Sequence, residues 1–288
     1  MKALLFYCIY PFIYLIASLP FPLLYLFSDF LYVILRVSGY RKKVILQNLR
    51  NSFPEKPESE IQSIFKSYCH YLCDLILETL KMMTMSEKQV KARCFYKSPE
   101  WFDKMRAENK SFIILMGHYG NWEWASPGFS LNSDYQLLVV YHTLSNSYFD
   151  RMMSAIRTRF GARVVPMNQT LRDMVANRDK LTATALVADQ TAGPENAYWT
   201  NFLNQDTAVF TGPEKLAKKF NYPVVYNHVK RTRRGYYEMF PELLFADPGN
   251  TSEGEIMEAF TRRLEDDIKK DPALWLWSHR RWKHKRPL

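Results

Sequence analysis

The chain has 288 residues, enough for one large α/β domain with an appendage or for two small domains. Hydrophobic residues make up 47%, so it can bury a sizeable core, and a formal net charge of +10 points to an anionic partner: nucleic acid, an anionic membrane or an acidic protein. The four cysteines, Cys8, Cys69, Cys73 and Cys94, form neither a disulfide framework nor a zinc pattern and are expected as buried thiols in a reducing compartment.

Residues 3–28 carry no charged side chain. The run is long enough to cross a bilayer, which takes roughly 20 apolar residues. A cleavable signal peptide would end in small residues and a polar start, but here the apolar run resumes from Leu31 to Val37. Pro11, Pro20 and Pro22 break a single straight helix. Two short apolar helices are expected, Leu4 to Leu19 and Leu23 to Val37, either crossing the membrane or lying in one leaflet. A buried core hairpin is the alternative. Arg36, Arg41, Lys42 and Lys43 follow, and by the positive-inside rule they keep the rest of the chain on the cytoplasmic side. The expected division is an anchor over 1–40 and a catalytic domain over 41–288. So large an apolar anchor argues against a soluble nucleic-acid binder.

The next helix opens at Pro57 and Ser59, where Ser59 and Gln62 have capping-box spacing, and ends near Met83. Its apolar face indicates packing only. Phe112 to Met116 reads as a fully buried strand. Then come Gly117, His118, Gly120 and Glu123. In a continuous helix, positions five apart would sit roughly 140° from one another and could not meet. The two glycines instead allow a tight strand-to-helix turn, which can aim His118 and Glu123 at one point at the carboxyl end of a strand. A histidine oriented by a carboxylate is a general base at neutral pH. A core histidine and a helix-capping glutamate would carry the same spacing.

Beyond this turn strands and helices alternate. A helix start is interrupted by Pro127; a strand spans Gln136 to Tyr141; a helix runs from Ser147 to Phe160; and a short strand spans Arg163 to Pro166. Thr170 to Asn177 is helical, and Leu181 to Ala188 is an apolar strand ending at Asp189. A loop from Gln190 to Asp206 precedes the helix Gly212 to Phe220, the strand Val224 to Lys230 and a hairpin at Gly235 into Tyr236 to Phe240. Ser252 and Glu255 cap a last helix to Lys270. The pattern predicts an α/β fold with a mostly parallel sheet flanked by helices, behind the N-terminal apolar anchor. No Gly-rich phosphate loop occurs, which argues against a nucleotide cofactor, and nothing in the pattern calls for a cofactor or metal.

These residues resemble a known family. A membrane-anchored basic domain with His, four residues, then an acid is similar to the glycerolipid acyltransferase superfamily. Asn146 with Arg157-Thr-Arg159-Phe-Gly161, Asp189-Gln190 before an aromatic loop, and the tail Trp277-Ser-His279-Arg280-Arg281-Trp282-Lys283 resemble successive blocks of the bacterial lipid A late acyltransferases, the lauroyl and myristoyl transferases. The resemblance runs from about residue 5 to 286. The stretch from Ala208 to Pro213 departs from the small-residue, Thr-rich run of the enterobacterial enzymes, and the acid is Glu123 rather than Asp.

The resemblance implies transfer of an acyl chain from acyl carrier protein to a hydroxyl of a lipid A precursor at the cytoplasmic face of the inner membrane. It makes His118 the base and Glu123 its orienting acid. Backbone amides near Gly117 to Gly120 are candidate oxyanion donors. Arg157 or Arg159 would meet the oxyanion or a lipid phosphate, and Asp189 would orient an arginine or a substrate hydroxyl or cap the structure. Arg280 and Arg281 would clamp phosphate of the anionic acceptor or cap a helix end. A lysophospholipid or aminoacyl-lipid acceptor, and a hydrolase or thioesterase using the same base on water, stay open.

Overall fold

The computed structural model describes residues 2–97 and 100–287. Five helices come first: α1 (Lys2–Ser18), α2 (Phe21–Ser38), α3 (Lys42–Ser52), α4 (Glu58–Lys81) and α5 (Glu87–Arg93). The alternating part follows: β1 (Cys94–Tyr96), α6 (Glu100–Ala107), β2 (Phe112–Met116), α7 (Trp122–Ser130), β3 (Gln136–Tyr141), α8 (Ser147–Thr158), β4 (Arg163–Pro166), α9 (Thr170–Ala176) and β5 (Thr182–Val187). A hairpin of β6 (Ala197–Phe202) and β7 (Gln205–Phe210), then α10 (Gly212–Phe220), β8 (Val224–Arg233), β9 (Tyr236–Phe245) and α11 (Glu255–Lys270) complete the regular elements.

The main sheet has seven strands in the order β1-β9-β8-β2-β5-β3-β4. Its neighbours run parallel except β8 and β9, which form an antiparallel hairpin. Helices cover both faces, and so β2 is buried along its whole length. Side chains alternate across a strand. Ile113 and Leu115 therefore join the core under α3, α4, α10 and α11, while Phe112, Ile114 and Met116 join the one under α2 and α5–α8.

Several expectations need correction. Pro127 does not interrupt α7, which runs through it to Ser130; the proline removes one amide donor, and a nine-residue helix packed on the sheet carries that loss. Ser59 and Gln62 do not form a capping box: Pro57 occupies the cap position without a side-chain hydrogen bond, and Gln62 donates to Glu58. The stretch read as a loop from Gln190 to Asp206 contains β6 and the start of β7, joined by Leu203 and Asn204 in left-handed conformation. Cys8 is exposed on α1, while Cys69, Cys73 and Cys94 are buried.

The two N-terminal helices fall close to their expected bounds, parting at Leu19 and Pro20. Helix α2 is long and apolar enough to cross a membrane by length and composition; α1 is shorter. Both pack one side on α4. Ser28 donates to Asp74 (2.7 Å), Tyr25 to Glu78 (2.8 Å), and Arg234 binds both Asp29 and Asp74 (2.6 Å each). The outer side exposes Leu4, Phe12, Leu15, Leu26, Phe30 and Val37.

Candidate active site

The site is built by sheet register. Met116 lies beside Val187 in the parallel β2–β5 pair. Two residues further along each strand stand His118 and Asp189, at the same level on the carboxyl edge. Gly117 lets them close: a Cβ there would come within 2.5 Å of Leu264 and 3.3 Å of the Asp189 carboxylate. Gly120 takes φ 58°, with Val229 where a Cβ would go.

His118 Nδ1 lies 2.6 Å from Asp189 Oδ1. Asp189 Oδ2 accepts from the His118 backbone amide (2.9 Å) and from Trp275 Nε1 (2.8 Å). Burial alone would push this carboxyl up. The His118 charge and the hydrogen bonds from His118 and Trp275 outweigh burial and hold it down at about 2. An ionised Asp189 only accepts, so Nδ1 carries a proton, and in the neutral imidazole Nε2 is the nitrogen that keeps its lone pair. Gln190 presents its side-chain nitrogen to Nε2 at 3.2 Å.

The C-terminal tail braces this turn. Tyr119 and Trp275 form an antiparallel bridge, Leu276 donates its amide to the His118 carbonyl (3.1 Å), and Gly120 donates to Leu274 (3.0 Å). The tail's role in the site is therefore carried by Trp275.

Glu123 does not touch His118. Asn121 caps α7, accepting from the Trp124 amide at 2.9 Å, and this sets Glu123 in the first helical turn facing α8. There its carboxylate takes both Arg157 Nε (2.9 Å) and Nη2 (2.6 Å), a largely buried bidentate pair. The imidazole partner expected at Glu123 is Asp189 instead, and Asp189 orients neither an arginine nor a free hydroxyl. Two amides expected as oxyanion donors, those of His118 and Gly120, already serve Asp189 and Leu274.

The other arginines separate. Arg157 lines the His118 cleft, whereas Arg159 is outside it and donates to the carbonyls of Met82 and Met85, 2.6 Å each. Arg280 is exposed and Arg281 is buried at 3% exposure. Adjacent guanidinium groups on opposite sides of the surface cannot clamp one phosphate together. Gln190 and Trp275 went unnoticed as site residues; the signal for both was their place beside Asp189 and in the tail motif.

A cleft of about 430 Å³ opens at His118. Ile114, Met116, Leu137, Val139, Ala185 and Val187 of the sheet form one wall, and Ala125, Phe129 and Met153 of α7 and α8 form the other. His118, Glu123, Arg157, His142 and Gln190 are among its polar groups. The cleft is thus an apolar slot with a histidine–aspartate pair at one end.

Fold and site place the chain among α/β proteins with a histidine–aspartate pair at a sheet edge beside an apolar cleft. The chain belongs to the bacterial lipid A biosynthesis acyltransferase family, whose model matches residues 2–284. It is similar to the lipid A biosynthesis myristoyltransferase of Escherichia coli (strain K12), 22% identical over 184 residues, covering 64% of this chain and 56% of that protein. The match thus spans little more than half the length of that relative. Two lipid A biosynthesis acyltransferases of Haemophilus influenzae are 24% identical over 282 residues (93% of this chain, 86% of theirs) and 20% identical over 238 (80% and 72%).

Proposed function

We propose that the protein moves a fatty acyl chain from a thioester, carried by acyl carrier protein, to a hydroxyl of a lipid A precursor. The observation that carries this reading is the His118–Asp189 pair at the end of an apolar cleft that suits a hydrocarbon chain. An alcohol is a poor nucleophile and needs a base. His118 Nε2 takes the hydroxyl proton as the oxygen attacks the thioester carbonyl, and Asp189 stabilises the imidazolium. The tetrahedral intermediate collapses, the C–S bond breaks, and His118 returns the proton to the leaving thiolate. The Gln190 amide, 3.2 Å from His118 Nε2, is a side-chain donor beside the reacting position. No covalent enzyme intermediate is required. Glu123 and Arg157 shape the cleft as a neutralised pair.

The exposed apolar faces of α1 and α2 would sit in the inner membrane, with Arg36, Arg41, Lys42 and Lys43 at its cytoplasmic surface. Net charge suits both an acidic carrier protein and an anionic lipid. Mass spectrometry of lipids from a strain lacking the gene tests the reading. Lipid A short of one acyl chain is the expected result. Unchanged lipid A with altered phospholipids or aminoacyl lipids would overturn the acceptor assignment.

A further inference from the structure

Behind Asp189, on the side away from the cleft, lies a small void of about 10 Å³ bounded by Ala188, Asp189, Phe202, Thr261, Leu264 and Arg281. Arg281 is 3% exposed, and its Nε and Nη1 make no hydrogen bond among the described residues. Burying a charged group with unpaired donors costs a fold several kcal/mol. Replacing such a group by a well-packed apolar side chain is commonly neutral or stabilising, so packing alone gives no reason for an arginine here. Nor does substrate: a void this small holds about one water molecule and no phosphate.

We infer that Arg281 is a positioning residue, a fixed positive charge behind Asp189 that offsets part of the carboxylate's pull on the imidazolium and so lowers the basicity of His118. The inference rests on the reading of His118 as the base. One water in the void would pass a hydrogen bond from the guanidinium to the carboxylate. Burial lowers the guanidinium to about 10 and the Asp189 charge opposes that, so Arg281 stays charged wherever a histidine titrates.

The charges around His118 are known from every side. Asp189 faces it from the end of β5 with Arg281 behind that carboxylate, His279 from the tail, Glu123 and Arg157 from α7 and α8 as a neutralised pair, and His142 from the end of β3. Lys283 acts on His279, whose own titration burial pushes down. Removing the positive charge of Arg281 leaves the Asp189 carboxylate less opposed, and the imidazolium gains.

The test is NMR titration of histidine-labelled full-length protein in detergent, with the His118 signal assigned by its loss in His118→Ala. Arg281→Met should stay folded, with a melting temperature equal to or above wild type. Its His118 pKa should rise by about half to one unit, the scale of one screened charge acting at an effective dielectric of about 20. Arg281→Lys should fall between wild type and Arg281→Met, since a buried ammonium holds its charge less readily than a guanidinium. A shift below about 0.2 units in Arg281→Met, an equal shift in Arg281→Lys, or unfolding of Arg281→Met would overturn the inference. The first two exclude the charge, and the third makes Arg281 structural. Because the titration reads His118 directly, it stands whether or not acyl transfer is the reaction.

Discussion

Asp189 reaches His118 from 71 residues away in the chain, and Glu123, five residues away, does not reach it at all. Local spacing could nominate His118, because a glycine turn after an apolar run is a local signal. It could not nominate its partner, because the partner is set by which strands are neighbours. Once β2 and β5 are known to pair with Met116 beside Val187, the two residues fall level. The Glu123–Arg157 pair yields a prediction at this scale. The two side chains are 11% and 21% exposed, so breaking one partner leaves a buried charge alone. Glu123→Gln should cost about 3–5 kcal/mol of stability, and Glu123→Gln with Arg157→Met should recover part of that loss. Thermal unfolding of these two variants and of Arg157→Met alone checks it. A double variant weaker than the sum of the singles would show that the pair is not the unit described.

Helix α4 couples the elements. Its Glu78, fully buried, accepts from Tyr25 of α2, Tyr237 of β9 and Asn121, the cap of α7 (2.8 Å each). Burial pushes Glu78 up to about 7, with the nearby Asp74 charge adding to it and the three donors opposing. The unfolded chain releases this proton near pH 4.3, so between there and pH 7 the folded state binds more protons than the unfolded one. The contribution therefore favours the fold below about pH 4.3 and declines by about 3 kcal/mol as pH rises to 7. Glu78→Gln removes the titration, so its melting temperature relative to wild type should climb from pH 5 to pH 8. A constant difference would contradict the assignment. Elements with apolar runs and turn glycines, such as β2, β3 and α10, were legible to within a residue or two. The β6–β7 hairpin was not, because Leu203 and Asn204 turn it without glycine. Helix α3 was hidden because its polar face, Lys42 to Arg50, reads as anchor flank.

At the scale of the molecule, the N-terminal helices are more than an attachment. Their apolar outer side was legible as an uncharged run, but Tyr25, Ser28 and Asp29, which face α4 and Arg234, were not, since polar residues in an apolar helix have no local mark of where they point. Deleting residues 1–38 should therefore do more than release a soluble domain. It uncovers Asp74 and Glu78 along with apolar surface, and the product should aggregate or melt well below the full-length protein in detergent. A monomeric, fully folded truncation would contradict this.

The proposed catalysis rests on His118 as the base and Asp189 as its partner. The most direct measurement is turnover of purified protein with an acyl carrier protein thioester and a lipid A precursor, for His118→Ala, Asp189→Asn and the double variant, each with an unchanged melting temperature. His118→Ala should lose at least about a hundredfold in kcat, since base catalysis typically contributes 10²–10⁴-fold. Asp189→Asn should lose a comparable factor, and the double variant should be little worse than His118→Ala, because the two act as a unit. Near-normal transfer by folded His118→Ala, or losses that multiply in the double variant, would contradict it.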